Sequence, residues 1–304
     1  MDGPFNNGEI AVQKLANEAH IAERVGGIIQ PQLPYNAMSF IEHQQIVVVG
    51  SADPDGELWS SLLIGEAGMV SVLSERQIAF NLQHLHSDKN DIGFRNLSDS
   101  SSIGIMFFEP ATRRRYRVNG SAQINAEQIL IDIEEAYPNC PKYIQQRQAE
   151  TEAGIADPRT VSGTELSHKL RSSIEIADTM FIASQGLDGK MDASHRGGNK
   201  GFIKILEDGR LKIPDYPGNS MFNTLGNIYE NPNVGILIPD WKAHSTLQIS
   251  GKGELYFEQN SEEDLRYSGN TGRFWIFTPV KWLYTENHNN RIWHFIENSP
   301  FNPT

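Results

Sequence analysis

Two polar clusters in the second half of the chain carry residue types that could hold an anion. The first is Ser194-His195-Arg196-Gly197-Gly198. A guanidinium fork pairs with phosphate or carboxylate oxygens, and glycines let a ligand approach the backbone. The same residues also fit an exposed edge strand that turns through the glycine pair. The second cluster, Ile213-Pro214-Asp215-Tyr216-Pro217-Gly218-Asn219-Ser220, runs into a predicted helix at Met221. Free backbone N–H groups at a helix start, joined by Asn219, Ser220, Asn223 and Thr224, suit a phosphate. Asn and Ser are equally preferred helix caps, so a capped helix with no ligand satisfies the pattern too.

Three further features bear on chemistry. Arg113, Arg115 and Arg117 alternate along a predicted strand as a basic stripe, which either meets an anion from across or forms a solvated face that protects an edge. His84-x-His86-x-Asp88 offers three metal-capable groups without a fourth; a loop of polar residues is the expectation, and no metal. Cys140 reads as a small structural thiol rather than a nucleophile, and no catalytic residue is assigned. P-loop, G-x-G-x-x-G and G-x-S-x-G patterns are absent, which counts against NTPase, Rossmann and α/β-hydrolase chemistry.

Composition narrows the partners. The chain has 304 residues, 38% hydrophobic and 21% charged, enough for two domains with real cores. Its formal charge of -12 repels polyanions, so nucleic acid is not an expected partner. A single cysteine excludes an intrachain disulfide and suits a reducing compartment. The first residues lack a basic and apolar leader, and no apolar run is long enough to span a bilayer. The expectation is a cytoplasmic protein without a membrane partner.

The elements that must position these residues come in two similar sets. Asp55-Gly56 and Asp188-Gly189 lie 133 residues apart, as do Gly65 and Gly198. Asn96 and Asn227, Gly104 and Gly235, and Gly120 and Gly251 are each separated by 131. One net two-residue deletion reconciles every match, which points to a duplicated domain. In copy one, strands are predicted from Ile46 to Ser51, Leu58 to Ile64, Met69 to Leu73, Ile78 to Leu82, Ile103 to Phe108 and Arg114 to Ile124, with a short helix capped by Asp88. In copy two they run from Thr179 to Ser184, Met191 to Ser194, Gly201 to Leu206, Arg210 to Ile213, onward from Val234, Ser245 to Phe257, Arg273 to Glu286 and Arg291 to Phe295. A helix from Asn219 to Glu230 sits in the middle. Helices are also predicted from Ile10 to Val25, Ala126 to Tyr137 and Thr164 to Ala177. Asn139 to Gln148 reads as a polar segment. Domains are drawn at 1–150 and 164–304 with a linker over 151–163. Six to seven strands per copy suggest barrels.

In these residues the chain resembles the pyridoxamine 5'-phosphate oxidase-like FMN-binding split-barrel proteins, in particular a flavin-nucleotide-binding branch. The resemblance is carried by Asp192-Ala193-Ser194-His195-Arg196-Gly197-Gly198, Ile213 to Asn219, Leu225-Gly226-Asn227-Ile228 and Asn231-Pro232-Asn233-Val234-Gly235 in copy two. Copy one adds Arg117-Val118-Asn119-Gly120 and Ala136 to Tyr143. It spans about Met38 to Lys142 and Ile174 to Phe295. It implies a mainly β fold with flanking helices, built as two tandem split β-barrels, with FMN between them. The cofactor-binding residues it implies are Ser194, His195, Arg196, Gly197, Asp215, Asn219, Ser220, Asn223 and Thr224. Arg196 would meet the phosphate, and His195 or Asp215 the ribityl chain or ring edge. Copy one would play the partner subunit of an intrachain pseudo-dimer, with Trp59 or the Arg113 to Arg117 stripe reaching across, and whole chains pairing as a homodimer stays open. The implied function is an oxidoreductase acting on a small molecule, with NAD(P)H as a candidate electron source. A flavin or haem carrier without turnover and a degenerate barrel pair serving as an interaction module are the alternatives. The oxidase's own basic pattern and substrate-phosphate signature are missing, so vitamin B6 oxidation is not expected.

Overall fold

The computed structural model describes residues 3–88, 90–97, 101–125, 127–151 and 157–303. Three helices lead: α1 (Asn7–Leu15), α2 (Ala19–Gly26) and α3 (Tyr35–Glu42). Unit one follows with β1 (Ile46–Ala52), β2 (Leu58–Ile64), β3 (Val70–Ser74), β4 (Gln77–Asn81), α4 (Ile92–Asn96), β5 (Ser101–Glu109), β6 (Arg114–Ile124) and β7 (Gln128–Pro138). The connecting stretch holds β8 (Gln146–Thr151), β9 (Arg159–Gly163) and α5 (His168–Glu175). Unit two has β10 (Thr179–Gln185), β11 (Met191–Gly197), β12 (Lys204–Ile205), β13 (Leu211–Pro214), α6 (Asn223–Glu230), β14 (Asn233–Asp240), β15 (Ser245–Tyr256), α7 (Glu262–Tyr267) and β16 (Phe274–Glu286). β17 (Arg291–Glu297) closes the chain.

The two sheets have the same topology. Strand order is β2-β1-β5-β6-β7-β4-β3 in unit one and β11-β10-β14-β15-β16-β13-β12 in unit two, with β9 added beside β16. Register repeats as well: Gly50 faces Gly104 and Ile103 faces Gly120, while Ala183 faces Gly235 and Val234 faces Gly251. Each long strand breaks its register at the same place, between Asn119 and Gly120 and between Ser250 and Gly251. The Asp-Gly hairpins repeat too, since Gly56 (φ 79°) and Gly189 (φ 81°) both use the left-handed conformation that glycine tolerates. The fold is therefore a tandem pair of split β-barrels.

Alternation along the strands builds the core of each unit and the apolar clusters between them from one pattern. Val47 and Val49 face the interior of unit one, whereas Ile46 and Val48 face a separate cluster with Phe181, Ala193 and Leu237 of unit two. In β10, Met180 and Ile182 enter unit two's own core and Phe181 points across. The barrels approach each other through glycine. A Cβ on Gly104 would lie 2.5 Å from the backbone of Asp192, and one on Gly235 would lie 2.5 Å from the carbonyl of Leu58. The strands β8 and β17 also pair with each other, joining the two units' trailing segments.

Several predicted elements are corrected. The helix predicted from Ala126 to Tyr137 is a strand from Gln128 onward: β7 runs there, with Ile129, Ile131 and Ile133 buried on alternate residues, while Ala126 lies outside the described residues. A period of two in β-branched residues outweighed the coincident helical spacing. The leading helix is two, broken at Asn17 (φ 58°), and α1 packs on α6 of the second unit rather than on the first. Asp91, not Asp88, caps α4, accepting from the Gly93 N–H at 2.8 Å. Within the predicted linker, β9 is a strand on β16, while residues 152–156 lie outside the described residues. The expected polar segment after Pro138 ends in strand β8, and α3 and α7 were not foreseen. Among the described residues no helix is long and apolar enough to cross a membrane.

Candidate functional site

A cleft with a cavity volume of about 100 Å³ lies at one end of the barrel interface. Strand β11 supplies one wall: Ser194 and Arg196 share a face with Ile182 and Met180 opposite them in β10, and His195 shares the other face with Phe181. The β13 end and the loop to α6 supply a second wall, and β6 of unit one the third. The predicted residues Ser194, His195, Arg196, Gly197, Asp215, Asn219, Ser220, Asn223 and Thr224 all line this one cleft. Across from them stand Arg115, Arg117, Asn139, Cys140, Lys142 and Tyr143 of unit one. Arg113 does not join them: the chain turns there (φ 56°), and its guanidinium meets Glu297 at 2.7 Å. Trp59 does not reach the cleft either. It is buried and donates to Asp53 at 3.1 Å, while β6 provides the approach from across.

The side chains fall into two groups, those already satisfied and those with capacity left. Arg117 is a strut. It donates to Tyr137 Oη (2.8 Å), Asp192 Oδ1 (3.1 Å) and Ser194 Oγ (2.6 Å), so the buried charge has a partner and the two units are clamped. Thr224 Oγ1 also donates to Ser194 Oγ, at 2.8 Å. Arg273 pairs with Asp215 (2.9 Å) and Glu18 (2.6 Å), and Glu18 also accepts from Ser220 Oγ at 2.6 Å. Asn223 donates to Glu9 of α1, and Asn219 accepts from the Met221 N–H. Helix α6 starts at Asn223, four residues later than predicted, after Ser220 (φ 61°) and Phe222 (φ 60°) in left-handed backbone and with no side-chain cap. Such conformations cost energy and cluster at ligand clamps.

Arg115, Arg196 and Lys142 remain. None has a carboxylate within hydrogen-bond range among the described residues. Arg196 donates only to the His195 carbonyl (3.2 Å) and lies 3.8 Å from Asp215. Arg115 donates through Nε to the Cys140 carbonyl (2.8 Å) and through Nη1 to His195 Nδ1 (2.9 Å). Burial, then the Arg196 charge, pushes Arg115 down to about 9. Burial likewise lowers Arg196. His195 is held well below the usual imidazole range by burial and then by Arg115, Arg196 and Arg147.

The tautomer of His195 follows from its partner. A guanidinium only donates, so Nδ1 accepts and the single ring proton sits on Nε2. That N–H is buried and has no partner, with the ring held against Phe108 (5.2 Å) and Phe181 (5.7 Å). The cleft thus presents concentrated positive charge, an arrangement suited to an anion.

Sequence reasoning missed Arg273 and Glu18, because their partners lie 58 and 255 residues away and leave no local pattern. His84 and His86 both turn to Glu66 (3.0 and 3.6 Å), and no group of three metal-capable side chains occurs among the described residues. A second, more apolar groove beside Trp241, Trp293 and Phe295 is lined by Arg147, which is bound to Asp178, and by Lys200 and Lys242.

The class defined by this architecture is the split β-barrel, here in tandem. No protein-family model matches the chain, and no curated protein matches it. Solved structures that resemble it include a variant of HupZ from Group A Streptococcus (12% identity, 40% of this chain and 99% of that one, TM-score 0.32). The heme storage protein HutZ from Vibrio cholerae aligns at 14% identity over 41% of this chain and 96% of its own, TM-score 0.30. A Clostridium acetobutylicum protein related to general stress protein 26, of the pyridoxinephosphate oxidase family, aligns at 11% over 42% and 92%, TM-score 0.30. Each covers about two fifths of this chain.

Proposed function

We propose that the chain binds FMN in the inter-barrel cleft and acts as an oxidoreductase on a small molecule. The observation that carries this reading is the set of three cations, Arg115, Arg196 and Lys142, that converge on one cleft, where among the described residues the nearest carboxylate contact is Asp215, 3.8 Å from Arg196. A phosphate monoester is the complement of that charge, and guanidinium forks are the groups that bind it best. Arg196 and Arg115 would hold the phosphate. Ser194, Ser220 and Thr224 would serve the ribityl hydroxyls, and the His195 Nε2–H would donate to an acceptor at the ring edge. Tyr143 and Tyr216, whose rings lie 5.0 Å apart at the mouth, would shield the ring from water. The residues present therefore fit the group. Bound FMN would supply hydride and single-electron chemistry, while the protein supplies position, electrostatics and exclusion of water.

His195 has a defined part in this. Held neutral, it adds no charge and offers one proton in a fixed direction. Asp215, clamped by Arg273, keeps Arg196 directed toward the cleft. The test is an absorbance spectrum of the purified protein, FMN titration of cofactor-stripped material, then an assay for NAD(P)H oxidation. Flavin bands and saturable rebinding are expected. A colourless protein that ignores FMN sinks the reading, and FMN binding without NAD(P)H oxidation reduces it to a carrier.

A further inference from the structure

The duplication builds two equivalent positions at the barrel interface, on opposite sides of a pseudo-twofold axis. The shared registers fix the correspondence: His195 and Arg196 of the open cleft answer to Leu62 and Leu63, and Arg115 and Arg117 answer to Thr246 and Gln248. Matching contacts make the equivalence physical. Arg117 donates to Ser194 Oγ at 2.6 Å, and Gln248 donates to Ser61 Oγ at 3.0 Å. Asn227 donates to Ser184 Oγ, and Asn96 to Ser51 Oγ, both at 3.1 Å.

Chemistry survives on one side alone. The arginines that meet the open cleft from β6 are Thr246 and Gln248 in β15, and the arginine of β11 is a leucine in β2. The segments trailing the barrels complete the contrast. Tyr137 pairs with Arg117 and Leu283 with Gln248, which sets an offset of 146 and brings His288 to the place of Lys142. Lys142 lines the open cleft, whereas His288 is 0% exposed. Its Nε2 lies 2.6 Å from the carbonyl of Leu62, the counterpart of His195. Its backbone is pinned on both sides, donating to His244 (2.7 Å) and accepting from Asp88 (3.2 Å). The twin position is therefore filled by the chain itself.

We infer that one chain binds one FMN, although its fold repeats the cofactor-binding unit twice. Unit one has kept the β6 half of the site and unit two the β11 half. The two surviving halves face each other on one side of the axis, and the two lost halves face each other on the other, sealed by His288. The chain is thus a fused dimer that completes its site without a second molecule. This inference rests on the flavin reading above.

The test is the stoichiometry of FMN binding to the cofactor-stripped full-length chain, measured calorimetrically and by flavin absorbance. One equivalent per chain is expected. Arg115→Met should weaken it by more than about 10-fold, the loss of one charged hydrogen bond. Gln248→Leu and the near-isosteric Thr246→Val should retain one equivalent with Kd within about twofold, each variant's folding being checked by its melting curve. Two equivalents per chain, or a folded Thr246→Val protein that loses FMN, overturns the inference and leaves the flavin reading standing. Absence of saturable binding by the wild-type chain overturns that reading, and this inference with it.

Discussion

Replacing Arg196 by alanine separates a binding role from a structural one. Among the described residues Arg196 makes one hydrogen bond, 3.2 Å long, to the carbonyl of its neighbour, and approaches Asp215 to 3.8 Å. Asp215 keeps its 2.9 Å bond to Arg273 when Arg196 is removed, so no buried carboxylate is orphaned. The substitution also relieves repulsion on Arg115, whose protonation Arg196 opposes. The ligand-free protein should therefore melt at or slightly above the wild-type temperature. FMN binding should behave differently. A charge-assisted bond to phosphate contributes about 1.5–3 kcal/mol, which at ~1.4 kcal/mol per decade raises Kd by about 10- to 150-fold. Quenching of flavin fluorescence on titration measures this, with riboflavin as the comparison ligand. Because riboflavin has no phosphate, its Kd should change little, and the wild-type preference for FMN should collapse in the variant. An FMN Kd within about twofold of wild type, or parallel losses for FMN and riboflavin, would refute Arg196 as the phosphate partner.

Other perturbations probe the supporting structure. Arg115→Met removes a donor and a charge from His195, so the imidazole should protonate at a higher pH than in the wild-type protein, read from its ring nitrogen NMR shifts; an unmoved titration contradicts the assigned tautomer. Glu9 is pushed up to about 8 from an ordinary 4.5 by burial and then by Asp192. With the folded value raised, its contribution to stability is complete below pH ~4.5 and is lost as pH rises through about 8. Glu9→Gln should therefore flatten the pH dependence of Tm between pH 5 and 9 and give its largest relative gain at the alkaline end, and a slope identical to wild type would oppose that account. Gly104→Ala drives a Cβ to 2.5 Å from the Asp192 backbone, and overpacking of this kind costs about 1–3 kcal/mol. Urea unfolding should show it as a lowered midpoint, while Gly253→Ala, whose nearest neighbours are side-chain methyl groups at 3.1 Å, should lose less.

Much of the site was legible because its two-domain frame is written in local signals. Asp-Gly hairpins, β-branched runs and paired glycines mark strands and turns wherever they occur, and their repetition at fixed offsets fixes a shared topology. The cluster from Ser194 to Gly197 and the loop from Asp215 to Thr224 stood out as polar residues in a strand and at a helix start. What misled was equally local: Ile129, Leu130, Ile133 and Ala136 fit a helical stripe as well as Ile129, Ile131 and Ile133 fit a strand. Pairing with β4 and β6 on either side decided for the strand.

The amino-acid sequence by itself determined that there are two copies of one β unit, where their turns fall, and that the second copy carries anion-binding residue types. Only the tertiary structure decided what those residues meet. The partners of His195 and Ser194 are Arg115 and Arg117, 80 and 77 residues earlier, brought in by the packing of one barrel on the other. It is the same packing that docks α1 on the second unit, leaves Trp59 buried away from the cleft, and inserts His288 at the twin position. Turn and strand preferences act over a few residues and can be read from them. Interface partners are selected by the close approach of two sheets through Gly104 and Gly235, and that contact has no local signature.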